Sequence, residues 1–297
     1  MADQPIVIFG EVLWDIFPDG KKVLGGAPFN VAWHLQAFGQ SPTLISRVGK
    51  DEYGDNILKE MTVWGLSTEG IQRDRRKGTG IVSVELTDGQ PQYDIEHPKA
   101  YDAIDGSSLP FLPPQCLLYH GTLATRNQSS LMALEAIRTT FTSTIFFDVN
   151  LRSPWWKLEQ IETFLGNTTW LKINDEELPA LISETDDTDQ QIALLFEQYA
   201  LKQIILTAGK DGATLFTAEG DRHSIKPTPV KDIVDTVGAG DAFCSVLLLG
   251  IVQEWPLPLI LERAQEFASA VVGIQGATTS NKSFYATFQN QWNLSEA

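Results

Sequence analysis

The chain has 297 residues, 43% of them hydrophobic, and carries a formal net charge of −16. This length and hydrophobic content exclude a disordered chain and suffice for one large α/β domain, which we expect to span residues 1–297. The excess of negative charge argues against binding to nucleic acid or to an anionic membrane surface, because both require a basic face.

Short apolar runs alternate with longer amphipathic segments, which is the pattern of a parallel sheet covered by helices. In chain order, the apolar runs predict strands at residues 6–9, 43–48, 117–121, 144–149, 170–174 and 204–207. The longer segments predict helices at residues 28–39, 55–65, 130–141, 175–183, 189–200, 240–252 and 259–273. Gly39 and Gly65 are suitable ends for the first two of these helices.

Two segments do not follow this alternation and read as β-hairpins. Residues 12–24 contain the turn sequence PDG, and residues 80–95 alternate apolar and polar side chains around the turn sequence TDGQ. We expect the two hairpins to form a small β-layer at the edge of the core. Such a layer has one face to bury, either against a ligand or against a second subunit.

The chain shows no sign of export or membrane insertion. Its first residues, MADQPIVIFG, read as a strand and not as a signal peptide, and no apolar stretch reaches the roughly 20 residues of a membrane span. The two cysteines, Cys116 and Cys244, lack CxxC spacing and suit a reducing compartment. We therefore expect a soluble, cytoplasmic protein.

The segment DTVGAGDAF, residues 235–243, places two glycines just before an apolar helix. Because Gly238 and Gly240 lack Cβ, backbone N–H groups there can point into one concavity at the positive end of the helix and form an anion hole. Asp241 beside it suits a base that takes the proton of an alcohol attacking a phosphoryl group. The alternative is a glycine-rich turn in which Asp241 is an ordinary first-turn residue.

Two further clusters offer polar groups for a small ligand. Asp15 lies on the first hairpin, and Gly25, Gly26 and Asn30 lie where the next helix starts, which together suit the binding of sugar hydroxyls. The strand at 144–149 leads to Asp148, Asn150 and Arg152 at its carboxyl end, where open α/β sheets bind ligands. The alternatives are a hairpin exit turn and a surface salt bridge.

Two strand-to-helix junctions could face phosphates. Asn174 and Glu177 have the spacing to hold a hydrated Mg²⁺ through water, although locally they resemble a capping box more closely. Thr207, Gly209 and Gly212 could lie beside nucleotide phosphates or form a plain β-turn. The four histidines lack zinc-site spacing and there is no GxSxG motif, which argues against a zinc enzyme and a serine hydrolase.

Taken together, these segments resemble the ribokinase-like, or PfkB, carbohydrate kinases. The resemblance rests on GGAPFNVAWHLQAFG, RVGKDEYGD, FDVNLR, NDEE, LTAGKDGA and DTVGAGDAF, which occur in the family's order. Within the family, GEVLWDIFP, GGAPFNVA, GTLATR and FDVNLR look most like fructokinases. The resemblance implies a three-layer α/β/α fold with a central, mostly parallel sheet and a small β-sheet lid built from about residues 12–24 and 80–100.

The resemblance also implies ATP, Mg²⁺ and a set of site residues. It makes Asp241 the catalytic base, with Gly238, Ala239 and Gly240 as the anion hole. It places Asp15, Gly26 and Asn30 on the sugar, Arg152 near the sugar or the transferred phosphate, and Asn174 with Glu177 on Mg²⁺ through water. It places Thr207, Gly209, Gly212, Ser269 and Ala277 on the nucleotide side. A loop near Asp235 would bind K⁺ through main-chain oxygens, and lids often pair into a homodimer.

The resemblance therefore implies an ATP-dependent sugar kinase, and we expect D-fructose as its acceptor. Other acceptors stay open, namely ribose, 2-keto-3-deoxygluconate or a nucleoside, and Arg152 could serve the carboxylate of the keto acid. A protein of another class, a catalytically silent sugar- or nucleotide-binding regulator, is the remaining alternative.

Overall fold

Strands and helices alternate along most of the chain. The computed structural model describes residues 4–87, 90–227 and 233–294. The strands are β1 Ile6–Phe9, β2 Leu13–Ile16, β3 Lys22–Gly25, β4 Thr43–Gly49, β5 Ile71–Asp74, β6 Gly80–Thr87, β7 Gln90–Ile95, β8 Cys116–His120, β9 Thr142–Asp148, β10 Trp170–Asn174, β11 Gln203–Thr207, β12 Ala213–Thr217 and β13 Arg222–Ile225. The helices are α1 Ala27–Ala37, α2 Glu52–Trp64, α3 Gln128–Thr140, α4 Leu158–Leu165, α5 Leu178–Leu181, α6 Thr188–Gln198, α7 Ala239–Val252, α8 Leu257–Val271 and α9 Lys282–Gln291.

Nine strands form the central sheet, in the order β13-β12-β11-β10-β9-β8-β1-β4-β5. The neighbours from β11 to β5 pair in parallel, whereas β12 and β13 pair antiparallel at one edge. Side chains alternate across the sheet: Ile6 and Ile8 of β1 enter one hydrophobic cluster, and Val7 and Phe9 enter the other. Both faces of the sheet are therefore buried, as a parallel sheet requires.

Helices cover both faces and complete three layers. Residues of α1, α2, α7, α8 and α9 pack in the first hydrophobic cluster, and residues of α3, α4, α5 and α6 pack in the second. Helix α7 is apolar on every side and is buried from Ala242 to Gly250. Its N-terminus lies at the edge of the sheet where the parallel strands end. The mostly parallel α/β/α architecture expected from the sequence is confirmed.

A second, four-stranded sheet has the order β3-β2-β6-β7. The hairpins β2–β3 and β6–β7 are antiparallel, and β2 joins β6 in parallel, with Asp15 opposite Val82. The expectation that both hairpins share one small sheet is thus confirmed. The centre of the TDGQ turn, residues 88–89, lies outside the described residues. We call this four-stranded sheet the lid sheet.

The structure corrects several element predictions. The helix predicted at 175–183 is wrong in extent: residues 175–177 form a turn, and α5 has only four residues before Ile182 returns to an extended backbone. Strands β5, β12 and β13 and helices α4 and α9 were not predicted. No helix in the described part of the chain is long and apolar enough to cross a membrane.

Candidate active site

A cavity of about 560 Å³ lies between the lid sheet and the carboxyl ends of the central strands. The lid sheet contributes Leu13, Asp15, Val82 and Tyr93 to its walls, and the start of α7 contributes Gly240 and Asp241. Ligands of open α/β sheets bind at this edge. The lining also includes Glu11, Gly26, Ala27, Asn30, Ile95, Leu123, Asp148, Asn150, Arg152, Lys172, Thr236, Val237 and Gly238.

Asp241 lies in the first turn of α7 and faces this cavity. The amide of Asn30 donates a hydrogen bond of 2.7 Å from Nδ2 to Oδ2 of Asp241. Burial raises the pKa of Asp241 to about 6 and nearby Asp148 adds to the rise, whereas Asn30, Lys172 and Arg152 oppose it. A carboxylate with such a pKa is ionised at neutral pH and is still basic enough to accept a proton.

The chain before Asp241, where the sequence predicts an anion hole, forms the start of α7. Gly238 is the N-cap of α7 with φ of 81°, and a Cβ at this position would lie 2.2 Å from Cβ of Ala277. Glycine is therefore required both by the backbone angle and by the neighbouring chain. The first N–H groups of a helix have no partner inside it, and Gly238 and Gly240 bring the positive end of α7 to the cavity. Ala239 is not part of the lining, and its N–H donates to the carbonyl oxygen of Thr236 at 3.4 Å.

The opposite wall carries two further carboxylates, from Glu11 and Asp15. Burial raises the pKa of Glu11 to about 7 and the pKa of Asp15 to about 6. Gly26 has φ of 105°, and a Cβ there would lie 2.7 Å from the carbonyl oxygen of Glu11. A Cβ on Gly25 would lie 3.1 Å from Oδ2 of Asp15. These glycines let the start of α1 approach the two acidic side chains closely.

Asn30 lies at the start of α1, and its amide contacts Asp241 on α7. Its side chain is 4% exposed, and Oδ1 has no hydrogen-bond partner among the described residues. Because a buried amide oxygen without a partner is costly, such an atom facing a cavity indicates a site for a ligand donor.

The structure also brings the residues after β9 to the cavity. Asp148, Asn150 and Arg152 all line it, as the strand-end argument predicts. Asp148 is buried and accepts a hydrogen bond of 2.9 Å from Nζ of Lys172. Arg152 is exposed, so it offers a cation at the cavity without being fixed in its floor.

Glu11 and Lys172 were not among the residues that the sequence analysis selected. Glu11 belongs to the GEVLWD segment, from which only Asp15 was chosen. The sequence could have indicated Lys172, because it lies within WLKIN, which is typical of a buried strand. A lysine in a buried strand must be paired or must face a site.

Asn174 and Glu177 lie at the end of β10 but do not line this cavity. Oδ1 of Asn174 accepts the backbone N–H of Glu177 at 2.7 Å, and Oε2 of Glu177 accepts that of Asn174 at 3.0 Å. The backbone of Leu151 donates to Oε1 of Glu177 at 2.7 Å. The reciprocal capping-box bonds are therefore present, and both carboxylate oxygens already accept backbone N–H groups. Burial, followed by nearby Asp148, raises the pKa of Glu177.

The remaining predicted residues lie outside the lining of the cavity. Thr207 ends β11 next to Asn174, and the turn after it contains Gly209. Gly212 has a packing reason to be glycine, since a Cβ there would lie 2.0 Å from the carbonyl oxygen of Ile225. Ser269 is buried on α8.

Asp235 connects the segment before the anion hole to the segment after α8. Its Oδ1 accepts the N–H of Val237 at 3.0 Å, and its Oδ2 accepts that of Gly276 at 3.1 Å. Ala277 follows directly and packs against Gly238. In the described ranges, no group of three or more His, Cys, Asp or Glu side chains is arranged to hold a metal ion.

Comparison with known proteins agrees with this geometry. The family model of the pfkB family carbohydrate kinases matches residues 11–283. Probable fructokinase-4 of Arabidopsis thaliana is 29% identical over 273 residues, which cover 84% of this chain and 82% of that protein. The 5-dehydro-2-deoxygluconokinase of Clostridium beijerinckii is 25% identical over 270 residues, covering 85% of this chain and 79% of that protein.

A solved structure gives the same fold. A double mutant of the fructokinase from Vibrio cholerae O395, bound to fructose, ADP and potassium ion, superposes with a TM-score of 0.82 at 24% sequence identity. The match covers 96% of this chain and 99% of that chain. The ribokinase-like fold expected from the sequence is confirmed.

Proposed function

The chain belongs to the pfkB family carbohydrate kinases, and on this premise we propose that it transfers the γ-phosphoryl group of ATP to a hydroxyl group of D-fructose. The observation that carries the proposal is the position of Asp241. Its carboxylate shares one cavity with the N–H donors at the start of α7 and with the polar groups of Asn30, Glu11 and Asp15.

The acceptor would bind on the wall formed by the lid sheet and the start of α1. Carboxylates of Glu11 and Asp15 can accept hydrogen bonds from sugar hydroxyl groups, and the free Oδ1 of Asn30 can accept another. Because Asn30 also donates to Asp241, a hydroxyl group bound to this amide lies beside the base. Gly25 and Gly26 leave room for that approach.

In the reaction, Asp241 removes the proton of the attacking hydroxyl group. The bond between that oxygen and the γ-phosphorus forms, and the bond from the γ-phosphorus to the bridging oxygen breaks, with its electron pair leaving on ADP. The N–H groups of Gly238, Ala239 and Gly240 hold the oxygens of the phosphoryl group during the transfer. The lid sheet keeps water away, so that the sugar is the nucleophile.

Mg²⁺ would neutralise charge on the ATP phosphates. Asn174 and Glu177 fit a hydrated ion, because their oxygens are occupied by backbone N–H groups and act best through water. Both oxygens of Asp235 likewise accept backbone N–H groups, so a K⁺ ion near it would take main-chain oxygens as ligands. Thr207, Gly209, Gly212, Ser269 and Ala277 stay predicted nucleotide contacts, and pairing of lid sheets into a homodimer stays a prediction.

The charge of the cavity favours a neutral sugar over a sugar acid. Glu11, Asp15 and Asp241 face the acceptor, and Arg152 is the exposed cation near them. A carboxylate on the substrate would add a further negative charge to this group, which costs free energy. Fructose therefore suits the cavity better than 2-keto-3-deoxygluconate does.

An acceptor panel tests this proposal. ADP formation is measured with ATP, Mg²⁺ and each of fructose, ribose, 2-keto-3-deoxygluconate and a nucleoside, with and without K⁺. We expect the highest kcat/KM with fructose. A higher value with the keto acid would assign Arg152 to its carboxylate and overturn the charge argument, and binding without turnover would indicate a regulator.

A further inference from the structure

Lys172 is the only buried lysine in the described part of the chain. It lies in β10, is 8% exposed, and lines the floor of the cavity. Its Nζ lies 3.7 Å from the position that a Cβ on Gly240 would occupy. The ammonium group therefore lies close to Gly240, in the first turn of α7.

Asp148 holds this ammonium group in place. Its Oδ1 accepts from Nζ of Lys172 at 2.9 Å, while the hydroxyl of Tyr119 donates to Oδ2 at 3.1 Å and Sγ of Cys244 lies 3.5 Å from the same oxygen. Burial lowers the pKa of Lys172, but the charge and hydrogen bond of Asp148, together with Cys244 and Glu177, raise it above its usual value. The ion pair with Asp148 thus favours the charged form of Lys172 and fixes the position of its ammonium group.

Stability alone gives a weak reason for this ion pair. Burying two charges costs about as much as their attraction returns, and apolar side chains of similar volume often do as well. An ammonium group has three N–H donors, and Asp148 is the only hydrogen-bond acceptor that the described residues provide for them. Because Lys172 lines the cavity, a ligand there can accept from the remaining donors.

The phosphoryl group needs such a cation. It approaches Asp241 in a cavity that also contains the carboxylates of Glu11 and Asp15, and the backbone N–H groups that receive it carry no net charge. Among the described residues that line the cavity, Arg152 and Lys172 are the cations, and only Lys172 is held by a buried ion pair close to Gly240.

We propose that Lys172 is a catalytic residue whose ammonium group contacts the phosphoryl group while it moves from ADP to the acceptor, with Asp148 as its positioning residue. This inference rests on the phosphoryl transfer proposed above. In that transfer, the proton of the acceptor hydroxyl group goes to Asp241, and the electron pair of the broken bond goes to ADP. Lys172 keeps all its protons.

The test compares Lys172→Met, which keeps length and removes charge, with Lys172→Arg, which keeps charge. Lys59→Met, on the exposed face of α2, is the matched control for loss of one positive charge. With the best acceptor of the panel, we expect Lys172→Met to lose kcat by about 10²–10³-fold, the effect of removing one donor to a developing anion. Both KM values should change less than about threefold, because the contact forms in the transition state.

A second readout separates catalysis from structure. Affinity for a transition-state mimic, made of ADP, Mg²⁺, aluminium fluoride and the acceptor, should fall with kcat in Lys172→Met, whereas affinity for ADP should not. Lys172→Arg should keep more of both. A lower melting temperature with unchanged kcat and unchanged mimic affinity would assign Lys172 a purely structural role and overturn the inference.

One measurement needs no folded Lys172→Met protein. In wild-type protein labelled with ¹⁵N at lysine Nζ, the ammonium resonance of Lys172 should shift when aluminium fluoride completes the complex with ADP, Mg²⁺ and acceptor. An unchanged resonance would contradict the contact. Wild-type protein that turns over no acceptor at all would instead refute the proposed function itself, and the two failures are thereby distinguished.

Discussion

Replacing Asp241 with asparagine should remove activity and increase stability at the same time. The rise of its pKa from 3.8 to about 6 means that folding favours the protonated carboxyl group. The stabilisation from this group is fully present below pH 3.8 and is lost as pH rises through about 6. At pH 8 the ionised side chain therefore lowers the free energy of unfolding by up to about 3 kcal/mol, at 1.36 kcal/mol per pKa unit. Asparagine keeps the shape and avoids the charge.

The assay pairs kinetics with denaturation of the wild-type protein and Asp241→Asn. We expect kcat to fall about 10²–10⁴-fold, the range for loss of a general base, while ADP affinity is kept. At pH 8 the variant should unfold at higher urea concentration, and this advantage should nearly vanish at pH 4. Asp189→Asn, an exposed first-turn carboxylate of α6, is the control and should change neither quantity much. Near-normal turnover, or no gain in stability at pH 8, would refute the reasoning.

Three further variants test other parts of the cavity. Gly238→Ala would place a Cβ against Ala277 at a positive φ, so the free energy of unfolding should fall by about 2–5 kcal/mol and turnover should be lost. An unchanged free energy of unfolding would contradict the packing argument. Asn30→Ala removes a donor that lowers the pKa of Asp241, so the acid limb of the plot of kcat/KM against pH should move to higher pH. The KM for the acceptor should also rise. An acid limb at the same pH as in the wild-type protein would contradict the role of this hydrogen bond. Burial raises the pKa of Glu11 from 4.5 to about 7, so the stabilisation that this group gives below pH 4.5 is lost as pH rises through about 7. In urea titrations, Glu11→Gln should abolish that loss. The same pH dependence of the free energy of unfolding in variant and wild-type protein would contradict this effect.

The sequence predicts the interior of the fold better than its edges. Strands such as β1 and β8 are buried from end to end, and their mainly apolar sequences, IVIF and CLLYH, identify them. Edge strands β5 and β13, with the sequences IQRD and RHSI, have half-polar compositions that also suit a loop. In α5, hydrogen bonds between Asn174 and Glu177 hold residues 175–177 in a turn, so the helix starts late, and composition does not reveal this.

The site shows the same division between local pattern and tertiary contact. The glycines and Asp241 of DTVGAGDAF form a local motif, because a turn and a helix start suffice to place them. The hydrogen bond between Asn30 and Asp241 joins residues 211 positions apart, and no local pattern encodes it. Lys172 was overlooked for a related reason: its partner Asp148 is on the neighbouring strand β9, which only the sheet order places beside β10.

Positive groups at the site offset the negative charge of the chain locally. With a net charge of −16, the protein as a whole repels ATP and phosphorylated products. The helix end at Gly238 and the ammonium group of Lys172 provide positive groups at one side of the cavity, whereas Glu11 and Asp15 lie on its acceptor side. Transfer of the anionic phosphoryl group should therefore depend on these positive groups and tolerate removal of surface charges such as that of Lys59.

The most direct test of the central claim is ³¹P NMR of the wild-type protein with ATP, Mg²⁺ and fructose. The phosphoryl transfer proposed for Asp241 and the anion hole predicts a sugar phosphate resonance that grows in step with ADP. Release of inorganic phosphate in its place, or no loss of ATP, would contradict transfer to the sugar.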